Sequence, residues 1–582
     1  MFASFTEKLF PHDKRLNGAA VALLVLFSLA IFLPGFFTLP AIDRDEASFA
    51  QASKQMMQTG DMVDIRFQDD TRYKKPVGIY WMQVASVKLI QLVAGDEVQD
   101  TIWPYRIPSL LGAILAVLFT ASIGCKLFNA ETGFAAGILL ASTFLLNAES
   151  RMAKTDAMLL AMICACQFVL AKAYMQTKAL KLKDFLLFWG ALGIGFLIKG
   201  PLILLGPVGT LIALKCFKQD IGFSKKLNPL LGLPFALLII LPWYLLITEQ
   251  TGGAFYKDSA GHDLFAKIWE IQNWGHNFGL ALPGLYAVIM PLTLWPASLP
   301  LLLAIPFIWA SRHDKNVRFC LAWFVPIWLV FEITLTKLPH YVLPAYPALC
   351  LLAMHWLLSG MRDTSNKLWD IAAYIIFAGV SLGLALLPIW LPIKLEGTLF
   401  YWAMFAATLA FAACLTAIRL FRSKQPNLAL APLPLAGFAL MLSLFGFLLP
   451  NLTHVFVSEQ IVKQLPLLPE CQNQLLATAG YSEPSLVFNT DTQTRFLNVG
   501  ERLAVEMKRN PCLVGVVESE QKSEFLAKAP KFKLKPEYVG SVDGVNYGAG
   551  KIVHLDIYKT AAKTVPKRRA KKRPAKPNPT AP

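Results

Sequence analysis

Charge is scarce in this chain, and acid is scarcer than base. Only 16% of its 582 residues are charged, and 38 Asp or Glu face 55 Lys or Arg. With 55% hydrophobic residues and a mean hydropathy of +0.48, an ordinary soluble globule is excluded. The sequence shows no internal repeat and no glycine motif that would cradle a phosphate. It also lacks the paired, interrupted apolar segments that mark many secondary transporters. Cysteine is too thinly spread for a disulfide scaffold: of nine, Cys125, Cys164, Cys166, Cys216, Cys320, Cys350 and Cys414 lie in or beside apolar runs, where small packing residues are expected. Cys164 and Cys166 stand one residue apart, which is no zinc spacing. Only Cys471 and Cys512 fall in a polar region, and the sequence leaves open whether they pair.

What fills the chain instead is apolar runs of roughly 17–25 residues, each long enough to cross a ~30 Å hydrocarbon layer. About thirteen spans are expected, near 18–39, 104–125, 131–148, 154–176, 184–199, 201–215, 229–248, 284–309, 319–335, 341–359, 370–392, 398–418 and 428–449. The reading is an all-α polytopic membrane protein. The first run follows Lys8, Lys14 and Arg15 without a clear cleavage site, so it reads as a retained signal anchor. Basic residues crowd alternate short loops: Lys178, Lys181 and Lys183; Lys215, Lys218, Lys225 and Lys226; Arg312, Lys315 and Arg318; Arg362 and Lys367; Arg419, Arg422 and Lys424. The positive-inside rule puts these loops and the N-terminus in the cytoplasm, and an odd span count puts the C-terminus outside.

Three regions follow. Residues 1–449 form the membrane domain, with a first outer loop at 40–103. Residues 450–560 read as a small outer α/β domain. Strands are expected at 485–489, 512–518 and 551–558, helices at 494–509 and 523–528, and a hairpin around Gly544 and Gly548 to Gly550. The tail, 561–582, holds eight Lys or Arg and no acid, leaving +9 of the net +17 for the rest of the chain, and is too charged and Pro-rich to fold alone. This distribution speaks of topology and anionic membrane lipid, not of nucleic acid.

The chemistry gathers at 41–83. Three acids, Asp43, Asp45 and Glu46, open the stretch, and a basic pair, Lys74 and Lys75, closes it before Pro76. Between them Phe49, Ala50, Met56 and Met57 recur at helical spacing, which predicts an amphipathic helix on the membrane face ending at Gly60. A carboxylate cluster and a cationic pair at one membrane surface suit a reaction that expels a phosphate: acid to prepare or orient the acceptor, cation to hold the leaving anion.

These residues carry a resemblance. Asp45-Glu46, Thr59-Gly60-Asp61, Lys75-Pro76 and Tyr80-Trp81 in the first loop resemble the membrane glycosyltransferases that use polyprenyl-phosphate sugars. This is the GT-C family of protein O-mannosyltransferases and the bacterial lipid A aminoarabinose transferase. Tyr105-Arg106, Ser150-Arg151 with Asp156, Lys199-Gly200-Pro201 and Lys337-Leu338-Pro339-His340-Tyr341 continue it in order down the chain. The resemblance implies an inverting transferase that moves a sugar from a polyprenyl-phosphate donor to an acceptor on the outer face: lipid A, lipopolysaccharide core or another envelope glycan. It places Asp45, Glu46 and Asp156 in the catalytic centre and Lys75 on the donor phosphate, with Arg106 and Arg151 in support. His262 lies near where a metal-associated histidine occurs. The aminoarabinose transferase has a glutamate metal ligand immediately before the phosphate lysine, whereas this chain has Lys74, so any divalent metal would rest on Asp45 with His262. The competing readings are a transporter or flippase of a lipid-linked sugar and a protein O-glycosyltransferase of the same fold. A transporter is expected to hold its ionisable groups at mid-membrane depth; here they gather in the outer loops of a bacterial inner-membrane protein.

Overall fold

The computed structural model describes residues 15–259, 283–359, 367–423, 425–471 and 473–560. The chain divides into two compact units: 1–462 with 483–493 and 543–553, and 463–482 with 494–542 and 554–582. His262 and the basic tail lie outside the described residues.

The first unit is helical. Nine helices among the described residues are long and apolar enough to cross a membrane, or ten with the bent pair Ala130–Ser142 and Phe144–Ser150. Shorter apolar helices cover Gly18–Phe32, Gly78–Ala94 and Ser298–Ala310. The stretches expected as separate spans at 184–199 and 201–215 form one run, Leu182–Cys216, because a 3-10 segment, Gly200–Leu205, carries the chain across its break. The protein is a multi-pass membrane protein.

The helices that carry the site are α1 (Gly18–Phe32), α2 (Asp45–Thr59), α3 (Gly78–Ala94), α4 (Trp103–Leu127), α5 (Ala130–Ser142), α6 (Phe144–Ser150), α7 (Asp156–Met175) and α8 (Leu182–Lys199). Asn17 caps α1 by accepting from the Ala20 N–H at 2.8 Å, and Asn129 caps α5 through the Thr132 N–H at 2.7 Å. Helix α4 packs directly on α7 at Gly112, where a Cβ would stand 2.6 Å from the Met158 Cα. Only glycine permits that approach, and small residues are how helices draw together in lipid. The contact brings the start of α4 against the turn before α7, where Ser109 Oγ donates to the Lys154 carbonyl at 3.1 Å.

Helix α2 begins at Asp45 and ends at Gly60, whose left-handed φ of +78° closes the cap, as the sequence predicts. Its setting differs from the expected surface helix: residues 46–56 are all buried. Polar side chains make this tolerable by finding partners. Ser53 Oγ donates to Gln83 Oε1 at 2.6 Å, Gln55 exchanges two hydrogen bonds with the backbone of Gln68 at 2.7 and 2.9 Å, and Lys54 pairs with Asp100 at 2.7 Å. Beyond α2 a two-residue hairpin, β1 (Arg66–Phe67) with β2 (Asp70–Thr71), turns the chain back toward Lys74 and Lys75.

The second unit is built on a sheet ordered β4-β3-β5-β7-β6, with β3 at Leu475–Ala479, β4 at Arg495–Leu497, β5 at Leu513–Glu518, β6 at Pro536–Asn546 and β7 at Lys551–Thr560. Strand β3 runs parallel to β4 and β5, and β7 antiparallel to β5. Helices Gly500–Arg509 and Ser519–Lys528 bury Leu503, Met507 and Phe525 against it. The strands expected near 512–518 and 551–558 are present. The expected strand at 485–489 is instead a helix, Pro484–Asn489: proline at its first turn favours a helical start, and a short apolar run has no periodicity to decide between the two. The expected helix at 494–509 begins only at Gly500, after β4. Cys471 and Cys512 form a disulfide.

Candidate active site

Two helix starts and one helix end converge on an open cavity. Asp45 is the first residue of α2 and Asp156 the first of α7, positions where the helix dipole favours a carboxylate. Lys199 is the last residue of α8, where the dipole favours a cation. All three line the cavity, joined by Arg72, Lys74 and Lys75 from the segment after β2, by Lys154 from the turn before α7, and by His340 and Tyr341 from the 3-10 turn Pro339–Ala345.

The charges interlock. Lys199 Nζ meets Asp156 Oδ1 at 2.5 Å, and Lys154 Nζ meets Glu149 Oε1 at 3.2 Å. The His340 ring lies between these pairs, with Nδ1 3.8 Å from Glu149 Oε1 and Nε2 3.9 Å from Asp156 Oδ1. Burial works against ionisation of Asp45, but Lys154 and Arg72 outweigh it and hold the carboxyl below its ordinary range. Burial likewise opposes the charge on Lys154, and Glu149, Asp156 and Asp45 together hold its proton more tightly than usual. The arrangement keeps the Asp45 carboxylate, itself exposed, ionised beside the ammonium groups that line the same open cavity.

Of the residues singled out from sequence, Asp45, Asp156 and Lys75 come together in this cavity. Glu46 and Arg106 do not line it. They form a fully buried pair, with Arg106 Nε donating to Glu46 Oε1 at 2.8 Å and Nη2 to Oε2 at 3.0 Å. Glu46 also accepts the N–H groups of Ile42 and Ala153, at 2.9 and 2.8 Å. Arg106 donates further to the carbonyls of Phe36, Leu39 and Pro40. Arg151 is spent on the carbonyls of Pro34, Asn147 and Ile31 and stacks on Phe445 at 4.4 Å. Glu46 and Arg106 bind the start of the first loop to the bundle, and Arg151 ties the end of α1 to α6; their donors and acceptors are already engaged.

Glu149, Lys154, Lys199, His340 and Arg72 were not assigned chemistry from the sequence. The signal for Lys199 was its place at the end of an apolar run and before Gly-Pro, opposite an acid that opens another. Arg72 carried no signal beyond its nearness to Lys75. For a metal, the described residues fit poorly: no group of three or more His, Cys, Asp or Glu is arranged to hold one, and Lys74 brings a positive charge to the cavity wall.

Residues 74–245 match the family model for dolichyl-phosphate-mannose-protein mannosyltransferases. The undecaprenyl phosphate-alpha-4-amino-4-deoxy-L-arabinose arabinosyl transferase of Enterobacter sp. (strain 638) is 29% identical over 352 residues, covering 58% of this chain and 59% of that protein. The second such transferase of Proteus mirabilis (strain HI4320) is 26% identical over 394 residues, covering 65% and 67%. The chain thus spans about three fifths of the length of the first relative. Among solved structures, ArnT from Cupriavidus metallidurans superposes with a TM-score of 0.68 at 19% identity, covering 93% of this chain and 97% of that one. The same protein bound to undecaprenyl phosphate gives 0.67. A large majority of both chains is therefore shared in fold, at an identity too low to carry more than fold. By that measure the chain is a multi-pass membrane protein with a GT-C fold, shared with ArnT from Cupriavidus metallidurans.

Proposed function

We propose that this chain is a glycosyltransferase of the bacterial inner membrane that moves a sugar from a polyprenyl-phosphate donor to a glycolipid or glycan acceptor, such as lipid A, on the periplasmic face. The observation that carries the reading is the cavity that joins Asp45 to Lys75 within one recess of a GT-C fold. An acceptor oxygen attacks the anomeric carbon as the bond from that carbon to the phosphate oxygen breaks, inverting the carbon. The electron pair goes to the departing polyprenyl phosphate, whose growing charge meets the Lys75 ammonium. Where the acceptor is a hydroxyl, the ionised Asp45 takes its proton; where it is already a phosphate, Asp45 orients it. Asp156 fixes Lys199 beside the leaving group. Glu46 and Arg106 are positioning residues that hold the start of α2.

The orientation we infer has the N-terminus in the cytoplasm and residues 450–582 in the periplasm. The basic loops at 312–318 and 419–424 support it, and a disulfide between Cys471 and Cys512 suits an oxidising compartment.

Single-turnover transfer from radiolabelled donor, on variants whose membrane insertion matches the parent, tests the reaction. Asp45→Asn is expected to lose ~10²–10⁴-fold, the usual contribution of a positioned base. Lys75→Ala should weaken donor binding and slow transfer together, and Lys74→Ala should do less. Near-normal transfer by Asp45→Asn removes that residue from the mechanism.

A further inference from the structure

One cation in the cavity wall makes no direct ion pair among the described residues, although its charge reaches Asp45. Arg72 is 8% exposed and lines the cavity. Its backbone N–H donates to the Ile65 carbonyl at 2.8 Å, which fixes the strand end that carries it. Its guanidinium lies over the Phe49 ring at 4.9 Å, one helical turn along α2 from Asp45. Its Nε is buried without a hydrogen-bond partner, and among the described residues no ion pair includes it. The other buried cations nearby are neutralised: Lys154 by Glu149 and Lys199 by Asp156. A buried guanidinium left unpaired is expensive, and arginine's planar fork suits a carboxylate or phosphate held by two parallel bonds.

The cavity's overall charge points the same way. Its lining holds five Lys or Arg against two carboxylates. A donor phosphodiester supplies a single negative charge, which Lys75 is placed to meet in the reading above. That leaves positive charge in excess, and Arg72 is the part of it whose buried Nε has no hydrogen-bond partner among the described residues. A sugar that carries an amine, such as the 4-amino-4-deoxy-L-arabinose in the relatives' names, would bring another cation into this wall.

We propose that Arg72 binds a second acidic group, a carboxylate or phosphate ester distinct from the donor phosphate and borne by the transferred sugar or by the acceptor, and that an amino sugar is disfavoured here. This rests on the transferase reading for its biological meaning, though the binding site it describes is testable without transfer. Phe49 stacking supports the guanidinium from one side and leaves its edge for the ligand. The selectivity arises as much from repulsion of an ammonium as from attraction of an anion.

The test uses the full-length protein in detergent, with Arg72→Gln, Arg72→Lys and Lys75→Gln. Transfer is measured with three donors on one polyprenyl phosphate, bearing a uronic acid, a neutral hexose or a 4-amino pentose, and with lipid A before and after phosphatase treatment. If the sugar is the source, the parent prefers the uronic acid donor by about tenfold or more in kcat/KM, and Arg72→Gln erases that preference. If the acceptor is the source, Arg72→Gln leaves donor choice alone and erases the preference for phosphorylated lipid A. In both cases undecaprenyl phosphate binds Arg72→Gln as it binds the parent, which also shows that the variant is folded, and Lys75→Gln loses it. Arg72→Lys keeps the charge without the fork and should fall between; if Arg72→Gln fails to fold, a shift of either preference in Arg72→Lys carries the test. The proposal is overturned if Arg72→Gln weakens undecaprenyl phosphate as Lys75→Gln does, if neither preference changes, or if the amino-sugar donor is used best. Should the parent transfer none of the donors to lipid A, the transferase reading falls separately. Arg72 is then judged by titrating glucuronate and inorganic phosphate onto the undecaprenyl phosphate complex: loss of that binding in Arg72→Gln supports the site, and binding of neither by the parent overturns it.

Discussion

Lys199 and Asp156, 43 residues apart, join the end of α8 to the start of α7 through a 2.5 Å ion pair in the cavity wall. Both are buried, at 9% and 5% exposure. Such a pair gains little over an apolar substitute, but removing one partner strands the other charge.

Lys199→Met is therefore expected to destabilise the protein by ~3–5 kcal/mol, the usual cost of an uncompensated buried charge. The double variant Lys199→Met with Asp156→Asn should regain most of that loss and stay inactive. Thermal unfolding in detergent, followed by tryptophan fluorescence, gives the stabilities, and the transfer assay gives the activities. A double variant as unstable as the single would show that the pair is not what Lys199 contributes.

The Glu46–Arg106 pair predicts a different pattern. Glu46→Gln leaves Arg106 buried with a weaker acceptor and should lower folded yield and melting temperature, at a cost of ~1–3 kcal/mol for a weakened buried charged hydrogen bond. Undecaprenyl phosphate affinity of the folded fraction should remain that of the parent, because neither side chain lines the cavity. A fall in affinity matching that of Lys75→Ala would return Arg106 to the donor site.

Asp43, two residues before Asp45, predicts a pH dependence of stability. Burial is the main cause that pushes its carboxyl up to about 7 from 3.8, with Glu483 adding to it, while hydrogen bonds from Ser485 and the Arg44 charge pull it down. A raised pKa means that the fold favours the protonated acid, so this contribution is full below about pH 4 and is lost as pH rises through about 7. Melting temperatures of Asp43→Asn and the parent should thus diverge in favour of the variant between those pH values and run parallel above. A constant difference from pH 4 to 8 would contradict this.

The disulfide closes a loop of sequence separation 41. Chain-entropy reasoning assigns it about 4 kcal/mol. Cys471→Ser should release about that much stability from the second unit, seen as earlier protease cleavage there, while the helical unit resists as before. Cleavage unchanged by the substitution would mean that the loop is held by other contacts.

Much of this was legible in the sequence where the signal is local. The apolar runs, the stop of α2 at Gly60, and Asp45 and Lys75 as an acid and a cation bracketing one loop follow from periodicity, a left-handed glycine and charge placement. Contacts between distant positions were not legible. Nothing near Glu46 announces Arg106 sixty residues on, so a buried structural pair and two solvated charges look alike before folding. The same holds for α2, whose polar residues suggest a surface helix until Gln83, Asp100 and Gln68 are seen to answer them. The helix at Pro484–Asn489 was missed because five apolar-rich residues suit a strand as well as a helix. That the buried Arg72 Nε has no hydrogen-bond partner among the described residues is visible only in the fold.

The buried setting of α2 also bears on how substrates come and go. Ser53, Gln55 and Lys54 tie this helix on several sides to Gln83, Gln68 and Asp100. Raising it would break all of these at once, each contributing ~1 kcal/mol or more. It is thus ill-suited to serve as a lid. A donor whose tail stays in lipid needs no lid, because it can slide sideways to the cavity mouth and leave the same way. Under the proposed transfer reaction traffic then runs parallel to the bilayer, and the Asp45 carboxylate at the head of α2 stays still while the lipids move past it.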